Sequence, residues 1–381
     1  MTELLLPSPE GRLVPYVLSG RFVEPVPGPW LSREVFAAAH VIADPLAPAG
    51  SDVPDWEATL AHRRYLWSLG FGVAEAMDTA QRGSGLGKDH IWPLIRRTAD
   101  EARSSGGRAV FGVTTDDLDG PGHSIEEIVA SYEEQMELLE DVGGQAIIMP
   151  SRALALTARS PDDYLDVYQR LIDGSRSPVM VHWLGEMFDP ALSGYWGHED
   201  PWEAAEVVLG IIRTAPDRVS GIKVSVLDEE LEVDFRRRLD PGVRCFTGDD
   251  FNFPRLIAGE GGFHSDALLG IFDVIAPVAA NALHRLDAGD RNGFLTQLGP
   301  TVPLSRHLFA APTHYYKTGV VFLSYITGHQ ARFQMLGGQE TSRSLLHLSE
   351  LLRLADGAGL IADPDLAAAR MRQLLDGAGD S

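Results

Sequence analysis

A lysine set in the middle of an apolar strand is the residue of this sequence with the clearest chemical potential. In the run Ser220-Gly221-Ile222-Lys223-Val224-Ser225-Val226, alternation puts Ser220, Ile222, Val224 and Val226 on one face and Gly221, Lys223 and Ser225 on the other. If the bulky apolar face packs outward against helices, Lys223 points inward. A lysine confined there loses hydration, its pKa falls, and its neutral amine becomes a nucleophile for a carbonyl. Arginine cannot do this, and of the 32 basic residues all but Lys88, Lys223 and Lys317 are arginines. Composition alone therefore does not explain a lysine at this position. A purely structural role, as the partner of a carboxylate or as a side chain snorkelling to the strand end, is the alternative.

The elements that must position this lysine follow from hydrophobic periodicity. Short β-branched runs alternate with segments of helical period, the signature of βα units around a parallel sheet. Strands are expected at Phe36–Ile42, Gly72–Met77, Arg108–Val113, Gln145–Met149, Pro178–Leu184, Arg218–Val226, Val243–Thr247 and, briefly, around Gly262–Ser265. Helices are expected between them; Ser124 and Glu127 form a capping box for one of these. Eight strands point to a closed (β/α)8 TIM barrel occupying residues 35–284. Residues 1–34 are read as an N-terminal extension and 285–381 as a C-terminal helical extension, with helices at Arg291–Phe309, Tyr316–Ile326, Leu345–Leu354 and Leu366–Leu375. A dinucleotide-binding sheet would need a Gly-rich turn directly after an early strand; Gly83-Ser84-Gly85-Leu86-Gly87 lies too far beyond its strand for that role.

Active sites of such barrels lie at the C-terminal ends of the strands. Those ends carry Glu75 and Asp78; Thr114, Thr115 and Asp116; Ser151 and Arg152; His182 and Glu186; Thr247, Asp249 and Asp250; and His264. Trp183, Phe188, Tyr195 and Trp196 lie in or beside an insertion after the fifth strand, either as a hydrophobic plug or as a lid that stacks on a sugar ring. The 54 acidic residues give a net charge of −22, which excludes the cationic face that nucleic acids and anionic membranes require. A single cysteine, Cys245, excludes an intrachain disulfide. With an acidic start and no long apolar stretch near the N-terminus, a cytoplasmic protein is expected.

Three segments carry a family resemblance. Gly221-Ile222-Lys223-Val224-Ser225, Thr247-Gly248-Asp249-Asp250 with Phe253-Pro254 and Gly261-Gly262, and Ala311-Pro312-Thr313-His314-Tyr315-Tyr316-Lys317-Thr318 together resemble the dihydrodipicolinate synthase and N-acetylneuraminate lyase family. These are class I aldolase-type TIM barrels whose lysine forms a Schiff base with a 2-keto acid. Two departures stand out. Where that family holds the keto-acid carboxylate with a Thr-Thr-Gly-Glu stretch, this chain has Asp78-Thr79-Ala80-Gln81, and an aspartate repels a carboxylate. Where the family has Thr-Pro-Tyr-Tyr-Asn with a proton-relaying tyrosine, this chain has Met149-Pro150-Ser151-Arg152-Ala153.

The resemblance implies a Schiff-base lyase, a divergent member, acting on a keto acid or keto-sugar-type carbonyl compound. Lys223 would be the nucleophile, with Asp78 or Glu75 as base. Arg152, Thr114, Thr115, His182, Thr247, Asp249 and His264 would bind oxygen groups, and Tyr195 is a stand-in for the missing phenol. Neither cofactor nor metal is implied, and a homo-oligomer is expected by analogy. Two other readings stay open: a divalent-metal isomerase or lyase using Glu75, Asp78, Asp116, His182, Glu186 and His264, and a non-catalytic small-molecule-binding barrel.

Overall fold

The computed structural model describes residues 2–379. Strands β1 (Glu3–Pro7) and β2 (Leu13–Val17) form an antiparallel hairpin that periodicity did not announce. They precede eight parallel strands: β3 (Val35–Ala38), β4 (Gly72–Glu75), β5 (Ala109–Val113), β6 (Gln145–Ile148), β7 (Val179–Leu184), β8 (Val219–Ser225), β9 (Arg244–Thr247) and β10 (Asp266–Leu269). The strands pair in sequence order, and β10 closes on β3, making the TIM barrel expected from the alternation.

Helices α1 (Trp56–Ser68), α2 (Lys88–Ser105), α3 (Ile125–Asp141), α4 (Arg152–Thr157), α5 (Pro161–Gly174), α6 (Pro201–Thr214), α7 (Glu229–Arg237), α8 (Phe253–Ala258) and α9 (Phe272–Asp287) lie between and after the strands. The Ser124–Glu127 capping box opens α3 as its spacing predicts. Beyond the barrel follow α10 (Arg291–Leu298), α11 (Thr301–Leu308), α12 (Tyr316–Ile326), α13 (Leu345–Gly357) and α14 (Pro364–Gly379). The continuous helix expected over Arg291–Phe309 is two helices, because Pro300 has no N–H with which to continue the ladder. No helix among the described residues is long and apolar enough to cross a membrane.

Inside the barrel, Phe36, Ala38, Ala74, Val110, Ile147, Met149, Met180, Phe246 and Leu268 form their own packed cluster, separate from the larger one between strands and helices. Seven of the eight barrel strands contribute to it, each from the inner face of the pleat; β8, whose inner positions are Gly221, Lys223 and Ser225, contributes none. The eighth barrel strand begins at Asp266, four residues later than expected. Gly259, Gly261 and Gly262 all have positive φ (72°, 62° and 86°) and are spent on the turn that precedes it.

Outside the barrel wall, a fully buried carboxylate joins three elements. Asp273 of α9 accepts from His40 Nδ1, just past β3, at 2.6 Å, and from His62 Nε2 of α1. Burial alone would raise its pKa, but the two imidazoles hold it far below the usual carboxylate range.

Candidate active site

Lys223 lies where alternation places it. Its strand neighbours Ile222 and Val224 join the outer cluster, while Lys223 pairs in register with His182 on β7 and Phe246 on β9, both on the inner side. Its stem occupies space that only a glycine leaves free: a Cβ on Gly248 would stand 2.0 Å from Ser225 Oγ and 2.9 Å from Lys223 Cε. Burial pushes the Lys223 ammonium down to about 8, against the opposing pull of the Asp250 and Asp78 carboxylates. Burial likewise pushes Asp250 up to about 7, while the Ile271 N–H donated to it at 2.9 Å and the Lys223 charge pull the other way. The two groups therefore share an environment that disfavours both charged forms. His182 touches Ser225 Oγ at 3.2 Å, and burial, aided by the Lys223 charge, keeps its imidazole neutral.

The strand ends above this lysine open into a cavity of about 590 Å³. Asp78 starts the 3-10 turn Asp78–Ala80 after β4, and its Oδ1 lies 2.8 Å from Lys317 Nζ on α12. Its other oxygen is buried and has no hydrogen-bond partner among the described residues. Next to it, Thr79 Oγ1 and the Tyr316 hydroxyl are 2.7 Å apart. Burial raises the Tyr316 phenol well above its ordinary pKa, and the Asp78 and Asp250 charges add to that, so it stays protonated. The C-terminal extension thus delivers a phenol and an ammonium to the mouth of the barrel.

Of the residues singled out from sequence, Asp78, Thr114, Thr115 and Arg152 line the cavity; Lys223 and His182 lie side by side on the inner face of the barrel, with Lys223 near enough to the cavity residue Asp78 for that carboxylate to act on its amine. Thr115 is bonded to Ser151 at 2.6 Å, Thr114 donates to Pro150 O at 3.0 Å, and Arg152 pairs with Asp189 at 2.7 Å. Four other candidates are elsewhere. Glu75 follows the inward Ala74 and so points outward, where it is fully buried in a two-pronged pair with Arg63, both contacts at 2.9 Å, and accepts from Thr98. It belongs to the wall between strand and helices. Thr247 follows the inward Phe246 and donates to Glu232 of α7 at 3.0 Å. Asp249 spends both oxygens on its own turn, accepting from Phe251 N, Asn252 N and Asn252 Nδ2 at 2.8–2.9 Å. His264 precedes β10 and so lies at the opposite, N-terminal end of the barrel.

The scattering of these residues also dissolves the divalent-metal set. Asp116 pairs with Arg82 and Glu186 is exposed, and none of the six belongs to the one group of three His, Cys, Asp or Glu ligand atoms within 4.8 Å of one another among the described residues, which is His40, His62 and Asp273. The aromatic insertion divides. Tyr195 and Trp196 pack against Tyr164 and Tyr168 as a plug, with the Tyr195 hydroxyl accepting from Ser151 N at 3.1 Å behind the wall, and Trp183 packs on Phe235; only Phe188 reaches the cavity, beside Phe309 and Tyr316. Tyr195 is thus a wall residue and no stand-in for the missing phenol. Tyr316 and Lys317 entered the sequence reading only as part of a family-like segment and Asp250 only as a strand-end residue, none with a role at the mouth.

An eight-stranded parallel barrel with a helical C-terminal region and a buried lysine on the inner face of its sixth barrel strand has the fold of the dihydrodipicolinate synthases. The chain is similar to the dihydrodipicolinate synthase of Cyanidioschyzon merolae solved with lysine bound (TM-score 0.64, 14% identity, covering 86% of this chain and 99% of that one). It is also similar to that of Aquifex aeolicus (0.63, 12%, 86% and 99%) and to the chloride-inhibited enzyme of Acinetobacter baumannii complexed with pyruvate (0.63, 13%, 86% and 99%). At such identities the likeness is one of fold. No curated protein matches the sequence. The chain belongs to the family described as "Protein of unknown function (DUF993)", whose model matches residues 4–379.

Proposed function

We propose that this protein is a lyase of class I aldolase type that works through an imine on Lys223. The observation that carries this reading is the burial of Lys223 on the inner face of β8, which brings its pKa down to about 8 beneath an open cavity. The neutral amine adds to a substrate carbonyl, and the carbinolamine loses water to leave a protonated imine. That imine accepts the electron pair of a neighbouring carbon–carbon or carbon–hydrogen bond, giving an enamine. Cleavage or formation of a carbon–carbon bond, or loss of a β-hydroxyl as water, follows, and hydrolysis returns the free lysine.

Proton traffic falls to groups beside the lysine. The unpartnered oxygen of Asp78 is placed to take a proton, with Lys317 holding the carboxylate in position. Tyr316, kept protonated, supplies the hydroxyl that the strand-four tyrosine supplies in the resembling family. Asp250 sets the charge of the amine. The cytoplasm is the setting this reading assumes, and self-association through the helical extension is part of it, checked by light-scattering mass. Borohydride reduction in the presence of a carbonyl substrate tests the central claim: a covalent adduct on the Lys223 peptide is expected. Full activity with an unlabelled and replaceable Lys223 would overturn it.

A further inference from the structure

We infer, resting on the imine reading above, that the mouth is built for an uncharged, hydroxyl-rich carbonyl compound, a ketose-type sugar, rather than for a keto acid or a sugar phosphate. The charges of the cavity come in matched sets. Arg82 is 3.0 Å from Asp116, Lys88 is 2.8 Å from Asp119, Arg152 is 2.7 Å from Asp189 and Lys317 is 2.8 Å from Asp78. Four cations thus meet four carboxylates in the cavity wall, in a chain that has only 32 basic residues to 54 acidic ones. No other Asp, Glu, Lys or Arg lines the cavity.

Several hydroxyl donors near the mouth are likewise committed. Thr79 holds Tyr316, Thr115 holds Ser151, and Thr114 is turned to the Pro150 carbonyl. Ser151 caps the Leu154 N–H at the start of α4. An entering carboxylate or phosphate would meet as many anions as cations, give up its hydration, and find each cation already neutralised. A neutral polyol has the opposite experience. Guanidinium and ammonium N–H groups donate to its oxygens while the paired carboxylates accept from its hydroxyls. The apolar side chains Met149, Leu184, Phe188 and Leu192 give its carbon skeleton a surface.

The test uses the intact protein and a panel of neutral ketoses, 2-keto acids of equal carbon number and ketose phosphates. Borohydride adducts on Lys223 are measured by mass spectrometry, and thermal shift is measured with the matching polyols and carboxylates, which cannot form imines. Neutral ketoses labelling at least about tenfold faster than the acids, a difference of about 1.4 kcal/mol, and polyols alone raising the melting temperature, support the inference. Faster labelling by keto acids or phosphates overturns it, as does stabilisation by carboxylates alone or by no ligand at all. Stabilisation by polyols with no adduct from any carbonyl supports the neutral-ligand inference while the imine reading fails. Asp189→Asn, which frees Arg152, is expected to shift labelling toward keto acids by up to about fivefold; no shift, with the fold intact, counts against the matched-charge argument.

Discussion

The ammonium of Lys317 lies 2.8 Å from the Asp78 carboxylate, tying the first turn of α12 to the loop that leaves the second barrel strand. Both side chains are largely withdrawn from water, so removing one strands the other. Lys317→Met is expected to cost about 1–3 kcal/mol in urea unfolding. It should also slow borohydride trapping at Lys223 by tenfold or more, whereas Lys317→Arg should recover part of the stability. Trapping at the wild-type rate in the methionine variant would remove Asp78 from the proton chemistry.

The pH dependence of trapping follows from the amine. The nucleophile is the neutral form, so the rate should climb as pH rises through about 8, where Lys223 loses its proton. Asp250 opposes that loss. Asp250→Asn takes away a negative charge that favours the ammonium, so the midpoint of the profile should move to lower pH. A midpoint that stays put or rises contradicts the pairing of these two groups.

Gly248→Ala places a methyl 2.0 Å from Ser225 Oγ and 2.9 Å from Lys223 Cε. Overpacking of this kind typically costs about 1–3 kcal/mol. Because the displaced atoms include the stem of the nucleophile, trapping should fall further than stability does. Circular dichroism melts and adduct yield, measured on one preparation, separate the two effects.

Acid should unfold the protein partly through the knot at Asp273. Its folded carboxylate has a lowered pKa, so its contribution is present above the unfolded value, about 3.9, and is lost as pH falls through the folded one. Burial also lowers the pKa of His62, and a histidine that resists protonation in the fold penalises folding once pH drops below its unfolded value, about 6.5. Both act in one direction but in successive windows: the His62 penalty makes urea midpoints fall from pH 7 toward pH 4, and loss of the Asp273 contribution continues the fall below about pH 4. Asp273→Asn should lower stability at pH 7 by about 3 kcal/mol and remove the Asp273 part of the fall, the part below about pH 4.

Alternation along single strands made much of this legible. It placed Lys223 inward, and the same rule, applied to β4 and β9, sends Glu75 and Thr247 outward, since Ala74 and Phe246 are the inner residues. Strand-end position alone had suggested both for the mouth. His264 was misplaced because the segment Gly262–Ser265 read as the eighth strand itself, when it precedes that strand. Tyr316 and Lys317 needed long-range packing that no local pattern encodes, although one signal was present. Lysine is rare in this chain, and all three copies are at the mouth or on the inner face of the barrel: Lys88 and Lys317 line the cavity above Lys223.

Because the barrel closes at Leu269 but its phenol and second ammonium arrive on α12, closure and competence are separate events in the life of the chain. A nascent chain that has completed its eighth barrel strand already carries Lys223 on its inner face, yet Asp78 lacks the Lys317 ammonium and Thr79 the Tyr316 phenol. In the proposed lyase, the groups that would move protons at Lys223 are complete only when the helical extension, about the last quarter of the chain, has packed over the mouth.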